Sequence, residues 1–283
     1  MSPPSLRWLL PLLFLPPLVS YAQNFLPLDF SHNVQATNAW YPNNSTLGPE
    51  YYSGQTLDFT AVTTQNGQVI DARVTVLGST AGYEFVGYIP DYNGEAGQPE
   101  NDLGVYYRHN GDPLSATGGI AYTISFFVGG SAFTDAAVLS DFRILIYDHD
   151  GEPGQSESIR TYEADGFTGY QLHNGSGIQT QEEAGIWRFD AVGQNLSESS
   201  PEGGFIAYYQ NTSTIRFDMF STTFPETPPG HNGIFAGFDG DLSLTNGQTS
   251  DFGAFVPIPE PASFPLATVA ALMALLRRKR HSQ

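Results

Sequence analysis

Ile120-Ala121-Tyr122-Thr123-Ile124-Ser125-Phe126-Phe127-Val128 is the stretch that decides the fold class. Ile120, Tyr122, Ile124, Phe126 and Val128 recur at every second position, the period of a strand with one buried face. Ala72, Val74 and Val76 do the same against Arg73 and Thr75. Residues 142–147 are apolar on both faces except for Arg143, as expected of an inner strand in a two-layer sandwich. Working outward, the pattern predicts further strands at 56–62, 83–88, 103–108, 168–173, 185–192, 233–238 and 252–256. Residues 204–210 and 214–221, joined by Asn211, Thr212 and Ser213, read as a hairpin. No dozen-residue stretch has apolar groups at helical spacing, and a short helix is expected only at 133–139. Roughly a dozen short strands between turn-rich loops predict an all-β, antiparallel β-sandwich, jelly-roll-like, in a single domain over 23–256. Residues 24–49, rich in Asn and Pro, read as a loosely structured lead-in.

Both ends of the chain differ in composition from this body. Arg7 precedes an apolar run at 8–19, followed by Ser20, Tyr21 and Ala22, which reads as a secretory signal peptide over 1–22, cleaved before Gln23. Between the ends stand six arginines (Arg73, Arg108, Arg143, Arg160, Arg188, Arg216) and no lysine, against 28 of the 29 acidic residues. A field of that sign repels phosphate backbones, which excludes nucleic acid as a partner; it favours solubility in a salty or cation-rich medium. The absence of cysteine excludes disulfides, thiolate catalysis and Cys-ligated zinc. A body of this length builds a core without such staples.

After residue 256 the chain reads Pro257, Ile258, Pro259, Glu260, Pro261, an extended linker in which proline denies helix and ladder hydrogen bonds. An apolar segment follows at 264–276, then Arg277, Arg278, Lys279 and Arg280. As a helix the segment spans roughly 20 Å against a hydrocarbon core of about 30 Å, so it is a marginal membrane anchor. The basic block stays cytoplasmic by the positive-inside rule, which leaves the body outside. Pro-Glu-Pro before a short apolar segment and a terminal arginine cluster resembles the PEP-CTERM sorting signal of Gram-negative bacteria. The resemblance covers residues 257–283. It implies an inner-membrane exosortase as partner, recognition of Pro259, Glu260 and Pro261, a transient inner-membrane-anchored intermediate, and delivery to the cell surface or medium of a species that makes exopolysaccharide.

Within the body the run Tyr147-Asp148-His149-Asp150-Gly151-Glu152-Pro153-Gly154-Gln155-Ser156-Glu157 leaves the end of a buried strand. Its carboxylates, with Gly151 and Gly154 free to take positive φ, offer oxygen ligands to a hard cation such as Ca2+. The same pattern serves a plain acidic turn. A second acidic turn, Asp239-Gly240-Asp241, shares one ion with Asp148, Asp150, Glu152 and Glu157 if the fold brings the two turns together. Asp-x-Asp-Gly-Glu followed by Gln-Ser-Glu also resembles a segment of other exported bacterial proteins with this tail, a likeness that implies no activity.

Sugar binding calls for exposed aromatic faces, and the doublets Trp40-Tyr41, Tyr51-Tyr52, Tyr106-Tyr107 and Tyr208-Tyr209 each split between the two faces of a strand. The alternative places these rings in the core. His-Glu-x-x-His, Gly-x-Ser-x-Gly and a glycine-rich phosphate loop are all absent, and Glu163-Ala164-Asp165 begins a laminarinase-like carboxylate motif that Gly166-Phe167-Thr168 does not finish. The sequence therefore predicts a non-enzymatic extracellular-matrix protein, structural or in contact with exopolysaccharide and other glycans. The alternative is a carbohydrate-active enzyme, a glycoside hydrolase or lyase.

Overall fold

The computed structural model describes residues 24–32, 54, 56–79, 85–88, 102–109, 117–151, 154–193, 196, 200–223 and 233–258. Residues 1–22, expected to be a signal peptide, and the expected sorting residues Pro259, Glu260, Pro261, Arg277, Arg278, Lys279 and Arg280 lie outside this set, as do Glu152, Trp40, Tyr41, Tyr51 and Tyr52.

Two seven-stranded sheets face each other. In spatial order the first holds β1 (Thr56–Gln65), β2 (Gln68–Ser79), β5 (Thr117–Val128), β12 (Thr214–Thr223), β7 (Gln155–Tyr162), β10 (Ile186–Val192) and β9 (Gln179–Glu183). The second holds β14 (Val256–Pro257), β8 (Phe167–Leu172), β11 (Phe205–Thr212), β6 (Leu139–Tyr147), β13 (Gly233–Asp239), β4 (Leu103–His109) and β3 (Phe85–Tyr88). Neighbouring strands pair antiparallel, and from β5 to β8 the chain alternates between sheets at every connection. This is the all-β sandwich that the period-two pattern predicts.

The decisive stretch behaves as its alternation requires. Ile120, Tyr122, Ile124 and Phe126 are buried, and so are Ala72, Val74 and Val76 across the β2–β5 pairing. Rings from the two sheets meet in the middle: Phe126 packs edge-on against Phe142 at 5.3 Å between centroids, and Phe189 stacks on Phe205 at 3.9 Å. Such offset and edge contacts add about 0.5–1.5 kcal/mol each beyond area burial.

Three expectations are corrected. The segments 204–210 and 214–221 are strands but do not form a hairpin: β11 pairs with β6 and β8, whereas β12 pairs with β5 and β7 in the other sheet. Asn211 takes φ 52° at the corner, and Tyr209 meets Phe217 across the core at 6.2 Å. Residues 133–139 form no helix; Ala132 and Phe133 both take positive φ, and Ala136 bridges Phe127 before β6 begins. The start of the lead-in is ordered. Leu28 and Phe30 are fully buried, Leu26 bridges Phe142 in the second sheet, and the Asp29 N–H donates to the Val62 carbonyl of the first, so this segment links the layers.

The second sheet is covered on its outer side as well. Leu145, Tyr147, Ile206 and Tyr208 point away from the main core and are buried under Leu242 and Phe252, with Phe25 and Leu244 at the margin. Residues 240–255 thus fold back over the sheet. That explains why residues 142–147 are apolar on both faces.

Candidate functional site

The acidic run after β6 turns inward. Asp148 takes φ 55° and Gly151 φ 65°, and a Cβ at Gly151 would stand 2.9 Å from the Gln155 carbonyl oxygen, so the wrap requires glycine there. The consequence is that His149, Asp150 and Glu157 are all buried at one end of the core. The Asp150 N–H donates to Glu157 Oε2 at 3.3 Å, and the Leu196 N–H donates to Asp150 Oδ2. His149 Nε2 lies 3.0 Å from the Phe189 carbonyl oxygen and Nδ1 lies 3.9 Å from Glu157 Oε2. Burial pushes the Glu157 carboxyl well above its usual range, and neighbouring Asp150 and Asp148 add to the shift. Burial lowers His149 to about 4, against a smaller opposing effect of its bond to Phe189.

The second acidic turn lies elsewhere. Asp239 pairs opposite Leu145, three positions back along β6 from Asp148, and the chain then runs away from the loop after β6. Asp239 and Asp241 meet a residue that the sequence did not single out. Leu103 pairs with Phe238, which sets Asp102 beside Asp239. One oxygen each from Asp102, Asp239 and Asp241 all lie within 4.8 Å of one another, and among the described residues this is the one such group of three potential ligands. The expectation of one ion shared between the two turns is therefore replaced by two separate acidic groups. Asp148, Asp150 and Glu157 belong to one, and Asp239 and Asp241 belong to the other.

Each part of the second group is held by the fold. The Tyr147 hydroxyl donates to Asp102 Oδ2 at 2.7 Å, reaching over β13 where Gly237 leaves room; a Cβ there would sit 2.0 Å from the tyrosine Cζ. Asp239 accepts three backbone N–H bonds: Asp241 and Ser243 donate to Oδ1, each at 3.1 Å, and Leu244 donates to Oδ2 at 2.8 Å. The Ser243 N–H also donates to Asp241 Oδ1 at 2.9 Å. Burial, reinforced by Asp239, lifts Asp102 to about 8 even though the Tyr147 bond opposes the shift. Burial likewise lifts Asp239 to about 7, against the Leu244 N–H and with the help of Asp241. No signal in the local sequence marks Asp102, because its role depends on the β4–β13 register.

The aromatic doublet that can be followed lies in the packing. Tyr209 faces the core, stacked on Phe142 at 5.2 Å, and Tyr208 is buried on the outer side with Phe25 and Phe255 edge-on to it. The backbones of Tyr106 and Tyr107 lie in β4, and their side chains are outside the described residues. Trp187 packs against Tyr170 and Phe167 and donates its indole N–H to Glu163 Oε1 at 2.9 Å. On the outer face of the first sheet, Arg160 and Arg188 lie over Phe220 at 4.5 and 5.2 Å, and Arg216 lies over Tyr162 at 4.9 Å. Three ion pairs lie on that sheet, Arg73–Asp58 between β2 and β1, Arg188–Asp190 along β10 and Arg216–Asp218 along β12.

No family model matches the chain, and no curated protein matches it. Among solved structures it is similar to the N-terminal domain of a Streptococcus gordonii adhesin, with 12% identity and a TM-score of 0.43 over 66% of this chain. The match spans 46% of the adhesin chain. Among the described residues no helix is long and apolar enough to cross a membrane.

Proposed function

We propose that this chain is an exported, exosortase-sorted protein of the extracellular matrix, with a structural role. The observation that carries the structural half is the outer face of the first sheet. Its guanidinium groups lie over the Phe220 and Tyr162 rings and pair with its carboxylates, so among the described residues these rings are engaged within the sheet rather than offered as a sugar platform. Tyr208, Tyr209 and Trp187 are likewise taken up by packing and hydrogen bonds. The sorted, extracellular half is supported by the apolar leader, the lysine-free acidic body and the Pro259-Glu260-Pro261 tail with its basic end.

Glu260→Ala in the native host tests this reading. The expected result is an unprocessed form retained in the inner membrane and a matrix fraction depleted of the protein. Unchanged processing with unchanged surface display would overturn it.

A further inference from the structure

We propose that Asp102, Asp239 and Asp241 form a binding site for a hard divalent cation of the calcium class, on the outer side of the second sheet and distinct from the loop after β6. This goes beyond the matrix reading and stands on its own geometry. The three carboxylates come from three places: the residue before β4, the end of β13, and the turn that begins the cover over the sheet. Their converging oxygens lie within 4.8 Å of one another, and ligands of one calcium ion at 2.3–2.6 Å are separated by no more than about 5 Å. The donors are all oxygen, with neither imidazole nor thiolate among them, which selects a hard cation.

A second observation points to a ligand. Asp102 is 1% exposed, and its Oδ1 is buried with no hydrogen-bond partner among the described residues, while Oδ2 takes the Tyr147 hydroxyl. A buried polar atom left without a partner is costly, and more so when it is charged. A cation held by this group and bound through Oδ1 would supply the missing partner. It also offsets the mutual repulsion of carboxylates at this spacing.

The supports resemble those of a built site. Tyr147 fixes the orientation of Asp102 from outside the ligand shell, and the three N–H bonds to Asp239 hold its carboxylate in place before any ion arrives. Asp241 reaches solvent, which provides an entry route and room for water to complete the coordination. A bound cation would pin the cover, residues 240–255, to the β4 side of the sheet.

Thermal melting of the protein as its host exports it, first stripped with chelator and then given calcium alone, tests the site. At calcium about a hundredfold above the dissociation constant the melting midpoint rises by about 5–10 °C. Asp102→Asn folds, because the amide has the same shape and keeps an oxygen for the Tyr147 hydroxyl, and loses the rise; Asp241→Asn, at the solvent side, also loses it. Asp148→Asn, in the other acidic group, keeps the full rise. Terbium in place of calcium gives an independent readout. Its luminescence under tyrosine excitation, sensitised by Tyr147, falls to background for the Asp102→Asn site. An unresponsive wild type, an undiminished rise in Asp102→Asn, or loss of the rise in Asp148→Asn would each overturn the assignment.

Discussion

The Phe189 carbonyl can only accept a hydrogen bond, so His149 carries its proton on Nε2 and leaves Nδ1 bare toward Glu157. Adding a second proton would place a charge in the core, which is why burial lowers this imidazole to about 4. The sign of the linkage follows. Between pH 6.5 and 4 the unfolded chain takes up a proton here that the folded chain refuses. This contribution is therefore fully present above the unfolded value and is lost as the pH falls toward 4. Glu157 acts in the opposite sense, because its raised carboxyl holds a proton that the unfolded chain releases near 4.5, so its contribution declines as the pH rises above that value. His149→Gln keeps an N–H donor for Phe189 and removes the titration. The stability of wild type minus that of the variant, from urea melts, should fall by roughly 3 kcal/mol between pH 6.5 and 4. A difference that stays flat over that range would show that His149 is not buried in neutral form.

At the scale of elements, the strands that the alternation revealed are those with an apolar stripe, and the ones it missed lack one. β7 lies inside the first sheet between β12 and β10, yet Ile159 is its one aliphatic residue, and Gln155, Glu157 and Thr161 occupy its buried positions. Its N-terminal half therefore read as the tail of an acidic turn. β9 is an edge strand of Gln, Thr and Glu, for which neither face offers a hydrophobic signal. The false hairpin has another cause. Phe205, Ala207 and Tyr209 on β11 and Ile215, Phe217 and Met219 on β12 bury equally well side by side or across a core, so local pattern does not choose between them. The cover over the second sheet was legible only as a double-faced apolar β6. Leu242, fully buried on that face despite its φ of 60°, is the key residue of the cover. Leu242→Ala should lower the unfolding free energy by about 2–4 kcal/mol. Val138→Ala, at an exposed position, should change it by less than about 0.5 kcal/mol. Equal effects of the two substitutions in denaturant titrations would mean that the cover does not pack as described.

For the whole molecule, the period-two alternation predicted the all-β layering, but composition did not predict how charge is disposed in three dimensions. Six arginines among 28 acidic residues suggest a diffuse negative shell. Instead Arg73, Arg188 and Arg216 lie in ion pairs within one sheet, and carboxylates at Asp102, Asp239 and Glu157 are buried. The grouping of Asp102 with Asp239 depends on the register of β4 and β13, two strands far apart in sequence, and no local motif encodes that. The reading of the molecule as a sorted matrix component rests on its two ends, so mass spectrometry of both termini of the protein recovered from the extracellular matrix is the direct measurement. The account predicts a chain that starts at Gln23 and ends near Pro259-Glu260-Pro261, without the arginine cluster. Matrix protein that still begins at Met1 and still ends at Gln283, arginine cluster included, would contradict it.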